Sequence, residues 1–232
     1  MIRLIKKYNR ILFLSLIIAG LYLSSLFNFI PNKSYNYDVT IYRDTWGVPH
    51  IYGITDEDTA YGLAYAHAED DFDTIFDILL FSRGVSASIK GKESAPIDYL
   101  VGLLKIWETV DEKYNSLSPK VINICNAYAD GINKYIEENL SRESKQIYPI
   151  KGKDIIAGFA LRTPLMYKLD WYITEIMKKE KPNFSKYSDN LTKHSMHGSN
   201  VFAIAPHRSE DGYTRLSVNS HQPWEGPVTW YE

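Results

Sequence analysis

The 232-residue sequence predicts an α+β fold, helical over most of its length and then a β-hairpin. Two observations carry this. Apolar residues recur every three to four positions through about 55–84, 118–135 and 154–179, which places them on one helix face. From about residue 199 the period changes to two, and Ser209-Glu210-Asp211-Gly212 separates two alternating runs as a hairpin turn does. The composition is that of a folded globular chain, 45% apolar and 23% charged, and excludes disordered, collagen-like and low-complexity classes. A net charge of -2 leaves no broad basic footprint for nucleic acid. The single cysteine, Cys125, excludes an intrachain disulfide and a Cys-cluster metal site.

The elements follow in order. Residues 1–10 carry Arg3, Lys6, Lys7 and Arg10 and no acid, and Ile11 to Phe27 carries no charge. That layout predicts a signal peptide or signal anchor over residues 1–30. The positive-inside bias keeps the first residues cytoplasmic and makes the rest periplasmic or extracellular, with residues 11–27 able to anchor the chain in the inner membrane. A buried core helix is the alternative. No Cys follows the segment, which excludes a lipoprotein anchor. Val39 to Arg43 alternates and is β-branched, Asp44 to Pro49 is turn chemistry, and His50 to Tyr52 is extended again. Thr55 with Asp58 reads as a capping box. The helix after it carries Ala60, Leu63, Ala64 and His67 on one face and stops at Gly84. Glu69, Asp70, Asp71, Asp73 and Asp77 around it read as a solvated face.

Ser118-Pro119 is an N-cap followed by proline at the first helical position. In the helix that follows, Cys125 shares the spacing of the apolar residues and reads as a small core hydrophobe. The third helical pattern should bend or break near Thr163-Pro164. Lys178 to Lys193 has no periodicity and reads as a polar spacer. The domain boundaries expected are therefore 1–30, 31–177, a linker at 178–198, and 199–232.

The local pattern that carries chemistry is His197-Gly198-Ser199-Asn200, between the spacer and a strand expected to be buried. A serine after a glycine at a strand start is, alone, a turn serine. A hydrolase can instead use a serine whose own α-amino group is the base, provided the chain is cut just before it. Such an amine titrates at about 7.7–8.0, so it accepts a proton near neutral pH. His194, His197 and His207 show no metal-ligand spacing and read as surface residues.

Arg43-Asp44-x-x-Gly47-Val48-Pro49-His50-Ile51 and Ala60-Tyr61-Gly62-Leu63-Ala64-Tyr65-Ala66-His67-Ala68-Glu69-Asp70 resemble the amino-terminal signature of the penicillin acylase (penicillin amidase) family of N-terminal-nucleophile hydrolases. Gly198-Ser199-Asn200 resembles the family's processing point, and Asn219-Ser220-His221-Gln222-Pro223-Trp224 its N-x-H-x-x-W stretch. His221 and the Pro-Trp after it resemble the acyl-homoserine-lactone acylase branch more than the phenylacetyl-preferring one. Asp71 and Phe72 to Ile75 depart from the family's Arg and Gln there. The resemblance implies the N-terminal part of a four-layer αββα sandwich: a helical small-subunit region at 31–177 and the opening hairpin of the large subunit from 199.

It implies Ser199 as nucleophile, Gly198 as the residue whose peptide bond is cut, and His221 at the rim of the active site. It implies amide hydrolysis of a small N-acyl substrate, such as an acyl-homoserine lactone or a β-lactam side chain. No organic cofactor is needed, and Glu175, after Asp170-Trp171, resembles a ligand of structural calcium. An exposed helical glutamate is the alternative for Glu175, and a hairpin-end histidine for His221. Family members run several hundred residues past the nucleophile, whereas this sequence has 33, so the expectation is an N-terminal piece of a larger precursor whose partner is its own large-subunit remainder. The rival expectation is an inactive membrane-anchored binding or scaffold module.

Overall fold

The computed structural model describes residues 33–139, 141, 144–166, 169, 172, 176, 199–221, 230 and 231. The chain divides into two compact units, Met1–Tyr35 and Asn36–Glu232, and the described helices and strands belong to the second. The expected export segment, Gly198, Glu175, and the spacer at 178–198 lie outside the described residues.

A first antiparallel hairpin pairs β1 (Val39–Arg43) with β2 (Pro49–Gly53), with Ile41 opposite Ile51. Its turn is built by Asp44, whose Oδ1 accepts the backbone N–H groups of Trp46 at 2.8 Å and Val48 at 3.0 Å. Gly47 supplies the positive φ of 86° that this turn requires. The capping box is present in both directions and opens α1 (Asp56–Arg83). Asp58 also accepts from the Asp38 N–H at 2.9 Å, tying the helix start to the strand that precedes it. The Thr55 hydroxyl, and then the Asp38 N–H, hold the Asp58 carboxyl below its ordinary range.

The helix α1 kinks at Asp71, whose backbone is non-helical, and ends at Gly84 in the left-handed conformation, as expected from its glycine. Three short helices follow, α2 (Ser86–Lys90), α3 (Ala95–Leu103) and α4 (Ile106–Lys113). Next comes α5 (Pro119–Glu138), with the Ser118 side chain accepting from Val121 N–H. The last described helix is α6 (Gly152–Met166). Of the bend or break expected near Thr163-Pro164, the break does not occur: Pro164 lies inside α6. Proline removes one hydrogen bond, that to the Ala160 carbonyl, and the buried Ala157 and Leu161 hold the preceding turns in place.

The main core forms where α1 crosses α5, around Ala64, Leu80, Ala129, Ile132 and Ile136. The helices approach closely because Gly131 has no side chain: a β-carbon there would sit 2.3 Å from the Tyr61 carbonyl oxygen. A second core joins α3, α4 and α6 through Val101, Ile106, Val110 and Leu161. Cys125 faces inward and is buried, as its spacing predicted.

Arg83, at the end of α1, links the parts. Its Nε donates to Asp154 Oδ1 at 2.7 Å, one Nη to Asp154 Oδ2 at 3.0 Å, and the other to the Ile147 carbonyl at 2.7 Å. Asp154 is buried, so this bidentate pair satisfies a carboxylate with little access to water.

The second hairpin pairs β3 (Ser199–Ile204) with β4 (Arg215–Ser220). Its strands differ from expectation in one respect. The strand after Ser199 was expected to be buried, yet every residue of β3 is exposed, Phe202 by 66%. Among the described residues no second layer covers it.

Candidate functional site

The hairpin register brings two sequence-distant motifs together. Ser199 is the first residue of β3 and lies opposite Ser220, the last of β4. Directly opposed residues of an antiparallel pair have Cα atoms about 4.5–5.5 Å apart. His221 follows Ser220, so it stands at the same hairpin end as Ser199. Asn200 ties the two sides: its Nδ2 lies 3.2 Å from His221 Nε2. With the amide donating, Nε2 accepts and the ring proton sits on Nδ1. Asn200, the residue after the candidate nucleophile, thus has a defined contact with the candidate rim histidine. His207 sits in a one-turn 3₁₀ segment of the hairpin connection, Pro206–Arg208, away from that end.

A second polar cluster is built on α1. Arg43, from β1, holds Glu69 at 3.0 Å and Asp70 at 2.9 Å. These acids were expected to form a solvated face; they are partly exposed, but they are paired. The Arg43 pair and the Tyr231 hydroxyl, which donates to Asp70, together outweigh partial burial and hold the Asp70 carboxyl below its ordinary range. Tyr231 itself is pushed up, by burial first and then by Asp70.

His67, one turn earlier, stacks on the Tyr231 ring with centroids 4.4 Å apart and planes 9° apart. Its Nδ1 lies 2.9 Å from the Tyr128 hydroxyl of α5. Burial lowers the His67 pKa, opposed by Asp71 and Asp70. Burial also pushes Tyr128 up to about 12. Sequence reasoning placed His67 on the apolar face but missed Tyr231. The one available signal was the Trp230-Tyr231 pair itself, two aromatic side chains with polar tips.

Beside this cluster lies a largely apolar groove of about 510 Å³ between α1, α5 and α6, lined by Leu63, His67, Ile124, Phe159, Arg162 and Trp230 among others. Among the described residues no cluster of three His, Cys, Asp or Glu side chains is placed to hold a metal ion.

A helical body, a short leading hairpin and a second hairpin that begins at Ser199 make an α+β chain. The penicillin amidase family model matches residues 38–232, and the chain belongs to that family. Acyl-homoserine lactone acylase QuiP of Pseudomonas fluorescens Pf0-1 is 22% identical over 86% of this chain and 30% of its own length. Acyl-homoserine lactone acylase PvdQ of the same strain is 21% identical over 95% of this chain and 32% of its own length. The chain thus spans less than a third of the length of either relative. Among solved structures, the thermostable penicillin G acylase from Alcaligenes faecalis matches with a TM-score of 0.50 and 20% identity, covering 69% of this chain and 86% of that one. That likeness bears out the α+β fold.

Proposed function

We propose that this protein belongs to a self-processing hydrolase of linear amides in small N-acyl compounds, of the acyl-homoserine-lactone acylase kind, with Ser199 as nucleophile. The observation that carries the reading is the strand register that sets Ser199 opposite Ser220, with His221 next to it and tied to Asn200. Family membership supports the reaction class.

In maturation, Ser199 Oγ attacks the Gly198 carbonyl carbon. The Gly198–Ser199 C–N bond breaks, an ester forms, and water hydrolyses it to leave Gly198 as a carboxylate and Ser199 with a free amine. In turnover the same Oγ attacks the acyl carbon of the substrate. The α-amine takes the Oγ proton and passes it to the leaving amine, and water then releases the acid from the acyl-enzyme. His221 positions this end of the hairpin and forms no bond to the acyl group.

On this reading one oxyanion donor lies in the part of the relatives that the chain does not span. Losing such a donor costs about 10²–10³ in rate, so residues 1–232 alone are expected to be slower than the full-length protein by at least that factor. Glu175 serves structural calcium, no organic cofactor takes part, and residues 1–30 direct export to the periplasm or beyond.

Intact mass and N-terminal sequencing of the full-length protein test the nucleophile. Ser199 should become the first residue of a mature chain, and Ser199→Ala should abolish both the cut and amide hydrolysis. Wild-type activity in Ser199→Ala, or an active protein with Ser199 internal, overturns the assignment. The inactive-scaffold alternative predicts an uncut chain and no turnover of acyl-homoserine lactones or penicillins by the full-length protein.

A further inference from the structure

The cut proposed above would leave the chain from Ser199 onward with no covalent tie to the helical body. Trp230 and Tyr231 are seated on that body by three different contacts. The Tyr231 ring lies flat on His67 of α1 at 4.4 Å. Its hydroxyl donates to Asp70, one helical turn further on, and Arg43 of β1 grips the same carboxylate at 2.9 Å. The Arg162 guanidinium of α6 lies 5.6 Å from the centre of the Trp230 ring. Trp230 and Tyr231 also line the apolar groove between α1, α5 and α6. The two aromatic residues therefore touch two separate helices of the body, α1 and α6, and form part of the wall of the groove.

We propose that this groove, with His67, Asp70 and Arg162 at its edge, is a clasp that retains the chain beginning at Ser199 after it has been cut from the helical region. The occupant is Trp230-Tyr231 of this same chain. The function resting on the clasp depends on the processing proposed above; the clasp itself is a set of contacts that holds whether or not the serine cuts.

Each contact has a distinct chemistry. The stack on His67 needs an aromatic ring. The bond to Asp70 needs the phenol hydroxyl and a carboxylate kept ionised by Arg43. The Trp230 face needs the cation of Arg162. These requirements separate the clasp from nonspecific apolar burial, which any large hydrophobe would satisfy.

The test separates the clasp from self-processing. In the full chain carrying Ser199→Ala, so that the serine cannot cut, a recognition sequence for a specific protease is placed within residues 180–195. After external cleavage, size-exclusion chromatography with mass detection follows whether the segment from Ser199 onward stays with the body. Retention is expected in this background. Trp230→Ala and Tyr231→Ala should each weaken it about tenfold, and Asp70→Asn and Tyr231→Phe about fivefold.

Tyr231→Phe keeps the ring and leaves both cores intact, so it reads the hydroxyl without a folding defect; circular dichroism of the uncut proteins checks this for every variant. Immediate loss of the segment from the Ser199→Ala background overturns the proposal. So does retention unchanged in Tyr231→Phe and Trp230→Ala. Failure of the wild-type chain to cut itself would refute the processing and leave these measurements standing.

Discussion

The α1–α5 crossing and the β3–β4 hairpin are built from similarly apolar sequence and meet opposite fates. At the crossing, Leu80, Ala129, Ile132 and Ile136 are all 1% exposed or less. In the hairpin, Val201, Phe202, Leu216 and Val218 are all more than 60% exposed. A two-stranded hairpin alone is marginal in water, because it has no face to pack on. Among the described residues, the helical body carries its own core, and the hairpin has register and polar end contacts but none. The chemistry proposed here resides on the part with no core.

The contrast can be tested by perturbing each side, beginning where the effect should be greatest. Arg83→Ala leaves Asp154 buried without its partner and is expected to destabilise the body by about 3–5 kcal/mol, read by chemical denaturation with circular dichroism. Acid should act next, through His67. Its folded pKa is depressed, so the unfolded chain binds more protons, and stability is complete above the unfolded value of about 6.5 and lost as pH falls below it towards the folded value. His67→Phe should flatten the stability–pH profile just below about pH 6.5, as thermal melts in a pH series would show.

Thr55→Ala removes the cap and should cost about 1 kcal/mol by the same denaturation assay. On the hairpin, Leu216→Ser should change stability by no more than about 0.5 kcal/mol, since the side chain is already in water. A large loss from Leu216→Ser would mean that the hairpin is covered in solution and would collapse the comparison.

Where the sequence was legible, a residue's local chemistry decided its structure. Asp44 and Gly47 built the turn between β1 and β2, Thr55 and Asp58 opened α1, Gly84 closed it, and Ser118-Pro119 opened α5. These devices act within a few residues and need no tertiary context. The stretch 86–113 was not legible, because its helices are only 5, 9 and 8 residues long and too short to show a period; the junction of α3 and α4 at Lys105 uses a left-handed backbone (φ 51°) with no glycine to announce it. The kink at Asp71 carries its own local cap, since Asp71 Oδ1 accepts from the Thr74 N–H at 3.3 Å, whereas the passage of α6 through Pro164 goes against local preference.

At the candidate site, Ser199 and His221 were legible as motifs, and their proximity follows from the hairpin register. The contact of Asn200 with His221 depends on side-chain placement that spacing does not encode. The contact of Tyr231 with His67 spans 164 residues and could not be read from any local pattern.

The close approach at Gly131 limits how this family member can drift in evolution. Most helix crossings tolerate a larger side chain on one helix when a smaller one arises on the other. Here a new β-carbon at position 131 would meet the Tyr61 carbonyl at 2.3 Å and the Ala64 β-carbon at 2.8 Å. The second could be removed by an alanine-to-glycine exchange, but the first belongs to the main chain, which no substitution can trim. The position has no local suppressor. A lineage that loses this glycine must shift a whole helix, together with the strand that rests on Gly62 of that helix, in which a β-carbon would sit 2.5 Å from Val39.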